Sequence, residues 1–195
     1  MTTIKLAVAA LAVVCLAAAQ EPAKAPTARP DDVKSIEAIV AAVYDVISGP
    51  AGQKRDWDRM RSLFVPGARL IPTVATPGGS ASARVLDVDG YIQRSAPMLE
   101  QNGFFERAIA TKTEAFGNIA HVFSTYESRH AAADAAPFAR GINSIQLLKD
   151  ANRWWIVTIY WDSEKPGSQI PTEYLPKRQR LRPERGAGGK TGFTD

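Results

Sequence analysis

The sequence predicts a single α+β domain in which three N-terminal helices pack on an antiparallel β-sheet. Apolar residues recur at helical spacing in three segments before residue 103, and from Phe104 onward the apolar pattern has a period of two. Helices followed by a run of strands favour this class over a doubly wound sheet. The 195 residues, 45% of them hydrophobic, are enough for one domain with its own core.

The first 19 residues have the pattern of a signal peptide. Lys5 precedes an apolar run from Leu6 to Leu16, which is too short to span a membrane, and three alanines precede Gln20. We therefore expect an exported protein, periplasmic or secreted. The only cysteine, Cys15, lies in this run, so the mature chain would have no thiol for a disulfide, a metal or nucleophilic catalysis. Acylation of Cys15 in a lipoprotein is the alternative, and the branched Val14 before it disfavours that processing.

The predicted organisation is a signal peptide (1–19), a linker (20–30), a domain (31–176) and a basic, disordered tail (177–195). Much of the basic charge of this chain, whose net charge is +4, lies in the tail. No aromatic residue is interleaved with the tail arginines, so nucleic acid is not an expected partner. Weak contact with an anionic surface is the alternative interpretation.

Capping and stop residues delimit the three helices. The first is predicted from DDVKSIEAIVAAVYDVISGP, with Asp31 as N-cap and Gly49-Pro50 as its end. The second follows Asp56 in DWDRMRSLFV. The third, LDVDGYIQRSAPMLEQNG, is capped by Asp87 and ends near Gly103.

A strand and a loop are predicted between the second and third helices. The segment ARLIPTV has strand character, and Pro72 within it favours an edge position. The segment TPGGSASA is predicted to be a loop, and it lacks the lysine and the strand–loop–helix context of a phosphate site.

Two alternating segments flank Gly117-Asn118 and predict a hairpin with a two-residue turn. An uninterrupted ladder from this turn gives the pairs Phe116–Ile119, Glu114–His121, Lys112–Phe123, Ala108–Glu127 and Glu106–Arg129. In this register Glu106 and Glu127 carry charges opposite to that of Arg129, and all three residues lie on a solvated face of the sheet. Such pairs favour a structural role for the three residues over a catalytic one.

A second hairpin is predicted to turn at residues 150–152. Strict alternation places Trp155 on one face, and Trp154 and Tyr160 on the other. The first face also collects Ile145, Leu147, Val157, Ile159 and Trp161. Because both faces are apolar, we expect helices on one side and either a partner chain or the IPTEYLP segment on the other.

The segments DWDRMRSLFVPGARLIP, DVDGYIQRSAPMLEQNGFFERAI and GINSIQLLKDANRWWIVTIYWD resemble the nuclear-transport-factor-2-like superfamily. Its α+β cone fold is shared with SnoaL-like cyclases and ketosteroid isomerase. The resemblance covers about residues 31–162. It implies a strongly curved sheet, a central pocket between the helices and the concave side of the sheet, and a homodimer that forms through the sheet.

The resemblance also implies the site. The expected ligand is a small apolar molecule, bound in the pocket by Tyr44, Trp57, Phe64, Tyr91, Met98, Tyr126 and Trp155. Enzymes of the superfamily use a tyrosine or an aspartic acid as donor to a developing oxyanion, and a carboxylate or histidine as base. The candidate catalytic residues here are Tyr44, Tyr91 and Tyr126 as donors, and His121, Glu127 or Asp45 as base. The sequence pattern isolates no carboxylate among apolar residues, as a base with a raised pKa requires.

No metal or cofactor is expected. His121 and His130 have no further ligands at zinc spacing, and neither a nucleophile elbow nor a dinucleotide fingerprint occurs. The predicted function is an exported small-molecule-binding protein, with isomerase, cyclase or dehydratase chemistry by proton transfer as a possibility. The alternative is a non-catalytic dimeric interaction module in which Tyr44 and Tyr91 only fill the core.

Overall fold

The computed structural model describes residues 26–76 and 79–177. The predicted signal peptide, most of the linker and nearly all of the basic tail lie outside the described residues, so these boundaries stay predictions.

The described chain contains four α-helices and six strands. The helices are α1 (Pro30–Val33), α2 (Ile36–Ile47), α3 (Trp57–Ser62) and α4 (Val88–Asn102). The strands are β1 (Phe64–Ala75), β2 (Ala81–Ala83), β3 (Phe105–Phe116), β4 (Ile119–Arg129), β5 (Ala139–Asp150) and β6 (Arg153–Ser163). A short 3-10 helix, Thr172–Tyr174, follows the last strand.

The predicted caps of the second and third helices are confirmed. The Asp56 side chain accepts from the backbone N–H of Arg59, and the Asp87 side chain accepts from that of Gly90. The cap predicted at Asp31 is wrong. The extended backbone of Ser35 divides the first helix into α1 and α2, and its Oγ caps α2.

The six strands form one sheet in the order β2-β1-β6-β5-β4-β3. The α+β class is confirmed. The sheet is mixed, because β1 runs parallel to β6 while the other neighbouring pairs are antiparallel. The edge position predicted for the Pro72 strand is wrong, since β2 pairs with residues 73–75 and makes β1 the penultimate strand.

One bulge interrupts the first hairpin. The predicted pairs Phe116–Ile119, Glu114–His121 and Lys112–Phe123 are confirmed. Beyond them Ile109 is an extra residue, since Ala110 pairs with Thr125 while Ala108 pairs with Tyr126. The predicted pairs Ala108–Glu127 and Glu106–Arg129 are therefore wrong, and Glu106 lies opposite Ser128. Because side chains alternate along a strand, this one-residue shift moves Glu106 to the opposite face.

A second bulge interrupts the other hairpin. Gln146 pairs with Thr158, and Leu147 pairs with Ile156, which leaves Val157 as the extra residue. Trp154 and Ile156 consequently join the buried face, whereas Trp155 turns to the opposite one. The face assignment predicted for these residues is wrong for the same reason as in the first hairpin.

The helices cover the inner face of the sheet. Ile39, Val43 and Tyr44 of α2 belong to the same buried core as Val122 and Ile145 of the sheet. The residues that cover the outer face come partly from the chain itself. The Tyr174 ring lies 5.0 Å from that of Phe123, and the Thr125 hydroxyl donates to the Tyr174 carbonyl at 2.6 Å. The IPTEYLP segment thus covers part of this face, as one of the two alternatives predicted, while Tyr160 stays 45% exposed.

A buried arginine fixes the loop between α2 and α3 against the end of α4. The Arg55 side chain donates to the backbone carbonyls of Ile47 at 3.0 Å, Gly49 at 2.6 Å, Gln53 at 2.5 Å and Leu99 at 3.0 Å. The loop carbonyls obtain a donor in this way, and Gly49 O also accepts from the backbone N–H of Phe104 at 3.0 Å. The loop and α4 together define one end of the space above the sheet.

Candidate functional site

A cavity of about 210 Å³ lies between α2, α4 and the inner face of the sheet. Its wall is mostly apolar, and Met98 in that wall is 55% exposed, so this side of the cavity reaches the surface. Its polar lining residues are Tyr44, Tyr91, Ser95, Glu106, Tyr126 and Asn143. An apolar pocket with a few convergent polar groups is the usual form of a small-molecule site.

Glu106 is a carboxylate in the wall of this cavity. It reaches the cavity because the Ile109 bulge turns its side chain to the inner face, where Ser128 Oγ donates to Glu106 Oε2 at 2.7 Å. Burial raises the pKa of Glu106 to about 7, and hydrogen bonding from Ser128 and Asn143 offsets this only in part. At neutral pH the group is therefore divided between its acid and its base form, which suits proton transfer.

The hydroxyl of Tyr44 lies in a buried polar network. It is 2.8 Å from Ser124 Oγ and accepts from Asn143 Nδ2 at 3.0 Å. Burial raises the pKa of Tyr44 well above its ordinary value, so the hydroxyl keeps its proton at physiological pH. A tyrosine held in this way is a hydrogen-bond donor of fixed position.

Two further tyrosines line the same cavity. Tyr91 packs edge-on against Trp161 with ring centroids 6.2 Å apart, and burial raises its pKa. Tyr126 OH lies 3.0 Å from Ser163 Oγ, and burial raises the pKa of Tyr126 to about 12. The negative charge of Glu106 contributes to the raised pKa of all three tyrosines, which places them in its electrostatic neighbourhood.

A wider groove of about 720 Å³ lies on the other side of Glu106, between α2 and the inner face of β3. Tyr44 and Glu106 line both the cavity and the groove. Thr111 and Thr113 line the groove but not the cavity. The carboxylate thus lies where the two spaces adjoin.

The structure gathers four of the seven residues predicted for the pocket. Tyr44, Tyr91, Met98 and Tyr126 line the cavity. The other three, Trp57, Phe64 and Trp155, do not belong to its lining.

Each of these three has another contact. The Trp57 indole donates to Glu100 Oε1 at 3.0 Å, and Phe64 is fully buried in the core. Trp155 lies under the guanidinium of Arg153, 3.4 Å from the ring centroid, because the Val157 bulge turns it to the outer face.

The predicted bases lie outside the cavity lining. His121 Nε2 is 2.9 Å from Ser144 Oγ on the outer face. Glu127 accepts from Arg107 at 2.7 Å and also pairs with Arg129, and hydrogen bonding to Arg129 keeps the pKa of Glu127 below its ordinary value. Asp45 pairs with Arg59 on the exposed side of α2.

Sequence reasoning missed Glu106, Ser128 and Asn143 as residues of the site. The omission of Glu106 has one cause, because an uninterrupted hairpin register assigns it to a surface ion pair. No local pattern marks the bulge, because Ile109 lies between Ala108 and Ala110, and in the uninterrupted register it falls on the same face as Val122 and Tyr126.

Two structural absences concern the described residues. Across residues 26–76 and 79–177, no three His, Cys, Asp or Glu side chains cluster in a way that could hold a metal ion. In that same part of the chain no helix has the length and apolar character needed to cross a membrane.

Comparison with known proteins finds similarity at the level of structure. No family model and no curated protein matches the sequence. A protein of unknown function with a cystatin-like fold from Nostoc punctiforme has 12% identity and a TM-score of 0.51, and the match covers 66% of this chain and 88% of that one.

Two other solved structures are less similar in shape. A protein proposed to be a dehydratase of the NTF2-like family, from Streptomyces avermitilis, has 12% identity and a TM-score of 0.49, with 70% and 99% of the two chains covered. A protein proposed to be a ketosteroid isomerase, from Parabacteroides distasonis, has 14% identity and a TM-score of 0.45, with 68% and 91% covered.

At these identities the comparisons show the fold alone. The chain has a cystatin-like α+β fold, and the resemblance predicted from its sequence is confirmed at the level of the fold.

Proposed function

We propose that this protein binds a small, largely apolar molecule in the cavity and transfers a proton on it. Glu106 is the acid–base group of this proposal, and Tyr44 is the donor to an oxygen that becomes negatively charged. The observation that carries the proposal is the position of Glu106, a carboxylate in a mostly apolar wall beside three tyrosines.

The chemistry that suits these groups is proton abstraction next to a carbonyl, as in an isomerisation or a dehydration. A base removes the proton, and a hydrogen bond to the carbonyl oxygen stabilises the enolate that forms. A carboxyl group with a pKa near 7 can accept the proton and then return it to another carbon atom. No redox partner is required, because the electron pair of the broken C–H bond stays in the substrate.

Tyr44 is favoured as the donor by the geometry of its partners. When Ser124 donates to it, the Tyr44 oxygen receives two hydrogen bonds, since Asn143 Nδ2 also donates to it. The proton of Tyr44 is then free for a ligand oxygen. Hydrogen bonds received by a hydroxyl oxygen polarise its O–H bond and strengthen it as a donor.

The size of the cavity limits the substrate class. A volume of about 210 Å³ accommodates a compact molecule such as a cyclic ketone, and the adjoining groove offers room for a substituent. Cyclohexanone is therefore a suitable probe. Exchange of its α-hydrogens in D₂O, followed by NMR, measures proton abstraction without knowledge of the natural substrate.

The experiment compares the wild-type chain with Glu106→Gln and Tyr44→Phe. We expect Glu106→Gln to reduce catalysed exchange by roughly 10²- to 10⁴-fold, which is the usual contribution of a positioned base. Glu114→Gln, an exposed glutamate on the same strand, is the matched control and should exchange at the wild-type rate. Exchange by Glu106→Gln at the wild-type rate would exclude Glu106 as the base.

The pH dependence of the exchange has a definite sign. The base form of Glu106 is required for abstraction, so the rate should rise with pH and level off above about 7. A profile that levels off near pH 4.5, the ordinary pKa of a glutamate, would point to a solvated carboxylate instead.

Export remains a proposal that rests on the sequence. The apolar run Leu6–Leu16 and the three alanines before Gln20 support it. Expression of the full chain in a bacterial host, followed by N-terminal sequencing of the periplasmic fraction, tests it. A mature protein that begins at residue 20 is the expected result, and retention of Met1 in the cytoplasm would contradict it.

The non-catalytic dimeric module remains the second candidate function. Its support is the outer face of the sheet, where Tyr160 stays exposed beside the part that residues 170–174 cover. A chain that forms dimers and does not catalyse exchange of the α-hydrogens of cyclohexanone would favour this alternative.

A further inference from the structure

Strand β3 forms one edge of the sheet, and no strand of the described residues pairs with its free side. The last six residues of β3, Thr111–Phe116, are all exposed. Phe116 is 84% exposed, although it is a large apolar residue. An exposed edge of this length is a template for another strand.

The turn determines which groups of β3 face outward. In a hairpin with a two-residue turn, the residues beside the turn form a hydrogen-bonded pair, here Phe116 and Ile119. Because hydrogen-bonded and non-hydrogen-bonded pairs alternate, the backbone N–H and C=O groups of Lys112 and Glu114 also form hydrogen bonds with β4. The backbone N–H and C=O groups of Thr111, Thr113 and Ala115 therefore point away from the sheet.

These outward groups are self-complementary. In an antiparallel pairing with a second β3, centred on Thr113, the outward groups of Thr113 meet those of the same residue. Thr111 meets the partner's Ala115, and Ala115 meets the partner's Thr111. A two-fold axis at Thr113 thus satisfies all three outward residues of each strand.

The side chains agree with this register. On the outer face, Lys112 lies opposite the partner's Glu114. Phe116 lies opposite the partner's Ala110, whose side chain is small. On the inner face, threonine meets threonine or alanine, so no bulky groups collide. Opposite charges and threonine pairs are favourable across antiparallel strands.

The neighbouring registers lack this match. An axis at Ala115 would place Glu114 opposite the partner's Phe116. An axis at Thr111 would place Lys112 opposite the partner's Ala110, and Glu114 would lie beyond the bulge at Ile109. Charge therefore selects the axis at Thr113.

We propose that β3 binds a second copy of this chain, antiparallel and centred on Thr113, so that the two six-stranded sheets become continuous. This surface differs from the face of the sheet and goes beyond the proposed function. Because Thr111 and Thr113 line the groove beside Glu106, the pairing brings the grooves of the two copies next to each other.

A charge-exchange series on the full chain tests the proposal. Sedimentation equilibrium is measured for the wild type, Lys112→Glu, Glu114→Lys and the double variant with both changes. Each single change creates two like-charge pairs across the axis, and we expect it to raise the dimer dissociation constant roughly tenfold to a hundredfold. The double variant restores opposite charges and should recover the wild-type constant.

Lys149→Glu is the matched control, since Lys149 is exposed on β5 and the change in net charge is the same as in Lys112→Glu. It should leave the dissociation constant unchanged. Circular dichroism verifies that every variant is folded, which is expected because Lys112 and Glu114 are exposed.

Three results would overturn the proposal. The first is a monomeric wild-type chain, and the second is a double variant whose dimer dissociation constant is no lower than those of the single variants. The third is a dimer that Lys112→Glu leaves unchanged but Tyr160→Asp dissociates. The last result would assign the interface to the face of the sheet.

Discussion

Ser128 Oγ donates a 2.7 Å hydrogen bond to Glu106 Oε2 from the position directly opposite it on the neighbouring strand. This contact exists because the bulge at Ile109 shifts the register by one residue. It holds the carboxyl group in the cavity wall, where burial raises its pKa.

Glu106→Gln should stabilise the protein at alkaline pH. A carboxyl group with a pKa of about 7 in the folded state and about 4.5 in the unfolded state loses folding free energy as pH rises between these values. Glutamine carries no charge to desolvate, so the variant avoids a loss of up to about 3 kcal/mol in the free energy of unfolding at pH 8.5. Urea unfolding at pH 5 and pH 8.5 measures the difference, which should be much smaller at pH 5. Equal effects at both pH values would contradict a raised pKa.

Tyr44→Phe should destabilise the protein. The change removes the hydroxyl that lies 2.8 Å from Ser124 Oγ and accepts from Asn143, and it leaves these buried groups without that partner. We expect a loss of about 1–3 kcal/mol in the free energy of unfolding. Tyr160→Phe is the control, because Tyr160 is exposed, and it should change stability very little. Equal unfolding midpoints for the two variants would argue against the buried network.

Arg55→Ala should be among the most destabilising single changes. The variant leaves the carbonyls of Ile47, Gly49 and Leu99 without the donor that Arg55 provides, in a buried setting. The expected cost is on the order of 3 kcal/mol or more. Arg29→Ala, which removes an exposed pair with Asp56, is expected to cost less than about 1 kcal/mol in the same chemical denaturation experiment. A small effect at Arg55 would show that water satisfies these carbonyls.

Glu127→Gln distinguishes a structural from a catalytic role for this glutamate. Its carboxylate pairs with both Arg107 and Arg129, and its pKa lies below the ordinary value. Its stabilisation is therefore present above about pH 4.5 and is lost as pH falls through the lowered pKa. We expect the variant to lose about 1–2 kcal/mol at pH 7 and to keep its rate of cyclohexanone exchange. Lost exchange activity in a folded variant would reassign Glu127 to the chemistry.

Much of the fold could be predicted because it depends on local patterns. Asp56 and Asp87 each precede a segment whose apolar residues recur at helical spacing, and their side chains cap the helices that follow. The Gly117-Asn118 turn sets the register of the nearest pairs, and three predicted pairs are found. Local signals were insufficient at Ser35, where a second good capping residue inside the helical pattern divided the predicted helix.

The site could be predicted only in part. The resemblance implied a pocket lined by Tyr44, Tyr91, Met98 and Tyr126, and these four residues line the cavity. Trp155 was expected there and Glu106 was not. The Ile109 bulge lies between Glu106 and the turn of its hairpin, and the Val157 bulge lies between Trp155 and Ile159, whose face Trp155 was expected to share.

Sequence alone is sufficient for the α+β class, the caps at Asp56 and Asp87, the two hairpin turns and the tyrosines on the buried sides of helices and strands. These features follow from interactions within a few residues of the chain. Which carboxylate enters the cavity depends instead on contacts between distant parts of the chain. A strand forms a bulge when its packing against the rest of the molecule favours one extra residue, and a one-residue shift exchanges its two faces. For that reason Glu106 faces the tyrosines, while Glu127 remains in a pair of salt bridges.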